Sequence, residues 1–489
     1  MKTSSLPHII LIVLDTAGAK RCSAYGYPRE TTPGLSRLAE EATLYKYCFA
    51  PAPWTIPSHA SLFSGLYPSQ HGCNVYNREI PDSINKLPEF LRQMGYRSMS
   101  ITSNLLVSPA GFEQVHGMNQ LFNSPEFIKA RKAIDDFKKK SKSDLKRLQF
   151  LLKYIIEHNF YTLPIMSLID KYYRKYFGKI KIKSLYATER TFFLAKRLFK
   201  KYADDHPLFI FINCMETHWQ YYPPAKYLKS VNIKKDNLRQ LQELDYFDMY
   251  VNEIPEYLLE ALARLYEQEL MYATDKVWDF YRFLKNSAQQ DRTLFIATSD
   301  HGESLGERGL WGHNFGVYNE VIHIPLVVKY PKDIGLQGES DRVVQLHDLW
   351  ATIMEMIESP LPGLDSSKSL LSERRNFAFC ENQYDIGVRA IRRRHRGFSP
   401  TGVMQACRCV IDADFMKLIE WQDGRLEYYD IKNDYDERHN LASSPDRAQV
   451  VGTLQAKLND YLGPFTWEPD PEGWGLQPKS DLTGVLHGS

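Results

Sequence analysis

Short runs of aliphatic and β-branched residues, each closed by a polar residue or a turn, recur along this chain. The first is His8–Leu14 (HIILIVL), ended by Asp15, and Arg97–Thr102, Leu208–Asn213, Thr293–Thr298 and Ile324–Val328 repeat the pattern. Uninterrupted apolar runs of this length suit strands buried on both faces of a parallel sheet. Helical stretches are expected between them, over Thr32–Ala42, Leu87–Met94, Ile254–Lys285 and Asp348–Ile357. Strands alternating with helices predict an α/β fold, a large, mainly parallel or mixed sheet sandwiched by helices. In such sheets functional residues gather at the carboxyl ends of the strands. Asp15 and Ser299-Asp300-His301 directly follow two of the predicted strands, so they are expected to meet at one sheet edge.

Beyond Ile357 the pattern changes. The stretch at 360–365 (PLPGLD) reads as a linker, and shorter strand candidates follow at Asn376–Cys380, Ala406–Ile411, Met416–Trp421 and Leu426–Asp430. Val450–Tyr461 reads as a helix, and the Pro-, Gly- and Ser-rich end as irregular. The expected organisation is a catalytic domain over 1–360 and a smaller α+β domain over 361–489.

A length of 489 residues, with 43% hydrophobic and 25% charged residues, excludes a disordered, collagen-like or coiled-coil chain. The net charge of +2 conceals an asymmetry: residues 126–201 hold 21 Lys+Arg against 7 Asp+Glu, so the rest of the chain is acidic. This basic stretch reads either as a solvated helical insertion or as a surface for an anionic membrane or polyanion. No nucleic-acid motif accompanies the charge, and no nucleic-acid partner is expected. The seven cysteines are odd in number and irregularly spaced, which favours free thiols in a reducing compartment. The apolar run Ile9–Leu14 is too short for a signal peptide. A soluble cytoplasmic protein is expected, with the inner membrane face as a candidate peripheral location.

Four pieces carry candidate chemistry. In Pro53-Trp54-Thr55-Ile56-Pro57-Ser58-His59 a hydroxyl stands where a helix opens, a position that favours anions; the plain alternative is a helix cap. Asp300-His301 offers a hard oxygen and an imidazole side by side. Asp15, Thr55, Asp300 and His301 together would give a cation two carboxylates, one imidazole and one hydroxyl, and the ion would activate that hydroxyl as a nucleophile. His218 and His313 are isolated, and such histidines are often structural.

In order along the chain, these pieces and their neighbours resemble the sulfatase-like branch of the alkaline phosphatase superfamily. The similarity runs through Tyr25-Gly26-Tyr27, Thr55–Gly65, Gly95-Tyr96-Arg97 with Ser103-Asn104, and the His218 element. It continues through Tyr266, Glu269 and Asp275, then Asp300-His301-Gly302-Glu303, Trp311-Gly312-His313, Ile324-Pro325-Leu326 and Tyr428-Tyr429-Asp430. The resemblance implies Asp15, Asp300 and His301 as metal ligands and Thr55 as nucleophile. It implies His218 and His313 as catalytic groups on the ester oxygens or leaving group, and Asn104 and His59 as substrate-contacting residues.

The departures from that family matter as much. Its sulfatases carry Cys or Ser, converted to formylglycine, within Cys-x-Pro-Ser-Arg; here the positions hold Thr55 and His59. Threonine carries a methyl group on Cβ and cannot become formylglycine. Threonine does stand there in family members that transfer phosphoethanolamine or glycerol phosphate. Thr16 replaces a second Asp, which with His301 favours one Mn²⁺ or Zn²⁺ over Ca²⁺ or Mg²⁺. Lys20 and Arg21 stand where related sequences often carry Asp-His. The leading expectation is a metal-dependent phosphoester hydrolase or phosphotransferase with a phospho-threonine intermediate, acting on a small-molecule or lipid-linked anionic ester. A sulfuric ester hydrolase using unmodified threonine, and a non-catalytic anion-binding protein on the same scaffold, are the alternatives.

Overall fold

A computed structural model describes residues 6–464 apart from 75–76, 105, 108–109, 118–186, 229–230, 232, 245–246, 360–365 and 384–385. The strands of the main sheet are β1 (His8–Leu14), β2 (Thr43–Phe49), β3 (Arg97–Thr102), β4 (Gln114–Gly117), β5 (Leu208–Cys214) and β6 (Thr293–Thr298). A small pair, β7 (Ser304–Leu305) and β8 (Trp311–Gly312), precedes β9 (His323–Lys329) and β10 (Gly338–Gln345). The eight-stranded order is β10-β2-β9-β6-β1-β5-β3-β4. β9 runs antiparallel to both β2 and β6, and the other pairings are parallel, so the sheet is mixed.

The five apolar runs all form strands. β2, β4 and β10 were not evident in the sequence. β10 (GESDRVVQ) begins as an exposed edge strand and carries charge where a central strand carries aliphatics.

β1 shows why the sheet is two-sided. Its side chains alternate, Ile10, Ile12 and Leu14 entering one core and Ile9, Leu11 and Val13 the other. The first core is covered by the helices Pro33–Ala39, Ala187–Tyr202 and Glu256–Lys285, through residues such as Leu35, Phe199 and Leu265. The second is covered by Thr55–Ser64, Leu87–Gln93 and Asp348–Met356, through Leu62, Leu91 and Trp350. The only described part of the basic stretch, Ala187 onward, therefore lies in a helix that covers the sheet; 126–186 lies outside the described residues.

The smaller sheet is an antiparallel meander of β11 (Phe377–Asn382), β12 (Cys407–Asp412), β13 (Met416–Trp421) and β14 (Leu426–Asp430). Cys407, Cys409 and Ile411 face a core shared with Phe315 and Tyr318, while Val410, Leu418 and Tyr428 pack beneath the Ala448–Leu462 helix. A buried ion pair, Lys417 Nζ to Glu437 Oε1 at 2.6 Å, holds this sheet to segment 317–319. Lys417 also donates to the Val317 carbonyl, and Glu437 Oε2 accepts from the Asn319 amide. All seven cysteines are buried and free.

His71 is buried with Nδ1 accepting from the Cys73 amide at 3.0 Å and Nε2 facing the Ser61 hydroxyl at 3.0 Å. Protonation would set an N–H against the Cys73 N–H, and burial lowers its pKa from 6.5 to about 3. The unfolded chain therefore binds the extra proton first, and stability is lost as pH falls from 6.5 toward 3. In urea unfolding the gap between wild type and His71→Gln is expected to narrow on acidification below neutrality, by about 1.4 kcal/mol per pH unit. A gap independent of pH would contradict this assignment.

Candidate active site

Strand register builds the centre. β1 and β6 are parallel neighbours with Val13 opposite Thr298, so the next residues out, Asp15 and Asp300, emerge side by side. Asp15, Asp300 and His301 are each fully buried, and one ligand atom of each lies within 4.8 Å of the other two. Asp300 Oδ1 accepts from the backbone amides of His301 (3.0 Å) and Thr16 (3.3 Å). That leaves Asp300 Oδ2 without a hydrogen bond, and Asp15 Oδ1 is likewise buried without one. Asp15 Oδ2 accepts from the Asn104 amide at 2.6 Å. Burying two carboxylates is costly unless a cation or donor meets them. His301 donates from Nδ1 to the Gly302 carbonyl at 3.0 Å, which leaves Nε2 as its ligating atom. The donor set thus fits one divalent cation, with oxygen and imidazole ligands.

Thr55 completes the group. It is the first residue of the Thr55–Ser64 helix, whose cap is Trp54, so the plain capping role does not apply. Its Oγ1 lies 3.3 Å from His301 Nε2, at the positive end of that helix. Ser58, one turn on, ties the helix to the ligand loop by donating to the Asp300 carbonyl at 2.7 Å. His59 is buried against Phe63 and Phe211, with Nδ1 3.0 Å from the Thr55 carbonyl and 3.4 Å from Asp300 Oδ2. It flanks Asp300.

The ligand loops are packed backbone to backbone. A Cβ on Gly302 would lie 2.2 Å from the Glu320 carbonyl oxygen, so no side chain fits there. Gly302 N donates to the Val321 carbonyl at 2.6 Å and Glu303 N to the Glu320 carbonyl at 3.1 Å. Segment 317–321 is the one braced by Lys417 and Glu437. The smaller sheet therefore backs the ligand loop.

His218 and His313 arrive from different elements, yet their rings lie 5.2 Å apart, and His313 is 4.4 Å from His301. The His218 loop is fastened to the β1 loop reciprocally: Thr16 donates to the Thr217 carbonyl and Thr217 to the Asp15 carbonyl. Thr16, at φ +64°, thus serves as a loop tie. Lys20 and Arg21 pair with Glu307, and Arg21 also with Glu267, in an ion-pair cluster beside the site.

Glu303 lies two residues beyond His301, and nothing in the sequence marks its role. Its Oε1 lies 3.1 Å from His313 Nδ1. Burial pushes Glu303 up to about 7, and burial together with the neighbouring His218 lowers His313 to about 3. Below neutral pH an uncharged pair is thus favoured, with the proton on Glu303 and His313 presenting Nε2–H. Asn213, 3.5 Å from Asp15 Oδ2, was also missed, because nothing in its strand sequence marks it.

All eight sequence-predicted site residues therefore lie in one cluster, six of them buried and His218 and His313 half-buried, at the carboxyl ends of β1, β3, β5 and β6, the loop after β8 and the start of one helix. Among the described residues no helix is long and apolar enough to cross a membrane.

Residues 7–359 match the Sulfatase family profile, and 306–462 match that of the N-sulphoglucosamine sulphohydrolase C-terminal region. The chain is 23% identical to the uncharacterized sulfatase YidJ of Escherichia coli K12, over 96% of this chain and 90% of that protein. It is 22% identical to the N-acetylglucosamine-6-O-sulfatase of Bacteroides thetaiotaomicron, over 93% of this chain and 86% of that protein. Among solved structures, the phosphonate monoester hydrolase of Agrobacterium radiobacter shares the fold with a TM-score of 0.65. It is 18% identical, with 93% of this chain and 95% of that chain covered. With a candidate metal site where two parallel strands end and a family match across most of its length, the chain belongs to the sulfatase family of metal-dependent ester hydrolases.

Proposed function

We propose that this protein is a metal-dependent phosphoester hydrolase or phosphotransferase that works through a covalent phosphoryl intermediate on Thr55. The observation that carries the reading is the Thr55 hydroxyl, 3.3 Å from His301 Nε2, in a site whose nucleophile position cannot become formylglycine. A divalent ion held by Asp15, Asp300 and His301, with Mn²⁺ or Zn²⁺ favoured, would lower the pKa of that hydroxyl and neutralise negative charge on the ester.

Thr55 Oγ1 gives up its proton to solvent and attacks phosphorus in line, forming the Thr55 O–P bond as the bond to the leaving oxygen breaks and that oxygen takes up a proton. The positive end of its helix faces the charge that develops. His313, oriented by Glu303, offers Nε2–H to the leaving oxygen or a nonbridging oxygen, and His218 flanks it. Asn104 holds Asp15 in place. Water or an acceptor alcohol then attacks phosphorus, and the Thr55 alcohol is restored. The substrate is a small-molecule or lipid-linked anionic ester, met at the cytoplasmic face of a membrane. Residues 1–360 form the catalytic part, and 361–489 the smaller part that braces it.

The family relationship favours a second reading, hydrolysis of a sulfuric ester by unmodified threonine. Expulsion of sulfate from a sulfo-threonine would need attack by water at sulfur, without the aldehyde hydrate that formylglycine provides. Purified enzyme assayed on aryl phosphodiesters, phosphomonoesters and sulfate esters is expected to favour a phosphorus ester by at least about tenfold in kcat/KM, or about 1.4 kcal/mol. A preference for sulfate esters would establish the second reading. A metal-free protein inert on all three would instead support an anion-binding role.

A further inference from the structure

The Ala187–Tyr202 helix has a second face, unrelated to the ester chemistry. Its inner side, Phe192, Ala195, Leu198 and Phe199, is buried in the sheet core. Its outer side presents Phe193, 63% exposed, a large aromatic with no place in that core. Around Phe193 the same helix carries Arg190, Lys196, Arg197, Lys200 and Lys201. Among the described residues none of these five cations pairs with a carboxylate within ion-pair distance. The helix's own acid, Glu189, is taken by Lys276 at 3.0 Å. On the neighbouring helix, Asp279 is paired with Arg282. Lys196 and Lys200 instead lie 5.6 and 5.5 Å from the centre of the half-buried Phe283 ring. The following turn holds Asp204 and Asp205, which the five cations outnumber.

A face of this kind, cations around an aromatic on a helix whose other side is anchored in a core, has the chemistry of an interfacial membrane contact. We propose that the outer face of the Ala187–Tyr202 helix docks the enzyme on an anionic lipid bilayer, the cations meeting headgroup phosphates and Phe193 entering the headgroup–acyl boundary. Charge complementarity selects an anionic surface, and the exposed phenyl ring selects a bilayer over a soluble polyanion. The contact is peripheral.

The test is flotation of the full-length protein with vesicles of phosphatidylcholine alone or mixed with phosphatidylserine. Binding is expected only to the anionic vesicles and is expected to weaken as salt is raised. The triple variant Arg197→Glu/Lys200→Glu/Lys201→Glu should weaken it on the order of a hundredfold or more. Phe193→Ser should weaken it several-fold at every salt concentration, and Lys332→Glu, on the loop after β9, should leave it unchanged. All these positions are exposed, and circular dichroism melting confirms folding of each variant. Flotation does not read ester hydrolysis, so its failure and a failure of the phosphoryl-transfer reading are separable. The proposal is overturned if the triple variant floats like wild type. It is overturned equally if wild type ignores anionic vesicles, including the case in which it binds duplex DNA instead.

Discussion

Thr55→Ala is expected to lower kcat/KM on the preferred ester by roughly 10⁴- to 10⁶-fold, the loss seen when a covalent nucleophile is removed. The change deletes one hydroxyl whose partner across the site is His301 Nε2 at 3.3 Å, and it leaves the helix and its Trp54 cap in place. Folding should therefore be nearly unaffected, and a normal melting transition separates chemical loss from structural loss. Thr55→Ser keeps the alcohol and should retain activity within about tenfold, less than 1.4 kcal/mol of barrier. Acid-quenched wild-type enzyme should carry the transferred group on the peptide containing Thr55, and accurate mass separates phosphoryl from sulfuryl. Activity that persists in Thr55→Ala would remove threonine from the chemistry altogether.

The second large effect concerns the carboxylates. Asp300→Asn is expected to abolish stoichiometric metal binding and to lower activity about 10³-fold or more, the scale of losing several kcal/mol of charge stabilisation. Its effect on stability should run the other way. In metal-free protein, Asp300 Oδ2 and Asp15 Oδ1 are buried carboxylate oxygens without hydrogen bonds, so replacing one carboxylate removes repulsion and desolvation cost. Metal-free Asp300→Asn should therefore melt at or above metal-free wild type. Added Mn²⁺ or Zn²⁺ should stabilise wild type alone, by about 2.7 kcal/mol at a hundred times Kd. A variant destabilised without metal and still stabilised by it would show that Asp300 is no ligand.

His218 and His313 show what kind of inference a linear sequence supports. Either histidine alone reads as structural, and only their order within a family pattern points to chemistry. The 5.2 Å between their rings depends on the Thr16–Thr217 ties that bring the loop after β5 to the loop after β1. Glu303 is harder still. Its position two residues from His301 is visible in the sequence, but its pairing with His313 Nδ1 is set by how segment 303–313 folds back through β7 and β8. That the His59 ring lies beside Asp300 is likewise set by the folded chain and not by its place in the sequence.

By itself the sequence determined the α/β class, the central strands and the meeting of Asp15 with Asp300-His301. Uninterrupted apolar runs can be buried only as inner strands, and a residue that follows such a strand must emerge at its carboxyl end. It also determined that residue 55 is an alcohol that cannot become an aldehyde, because threonine carries a methyl group on Cβ. Tertiary structure alone decided the edge strands β4 and β10 and placed β2 between β10 and β9, both far away from it in the chain. It alone decided that the smaller sheet braces the ligand loop through Lys417 and Glu437, and that the Ala187–Tyr202 helix turns one face to the core and the other to solvent. The pairing of β2 with β9 and β10 and the hold of Lys417 on Val317 rest on contacts between residues far apart in sequence, which no local pattern records.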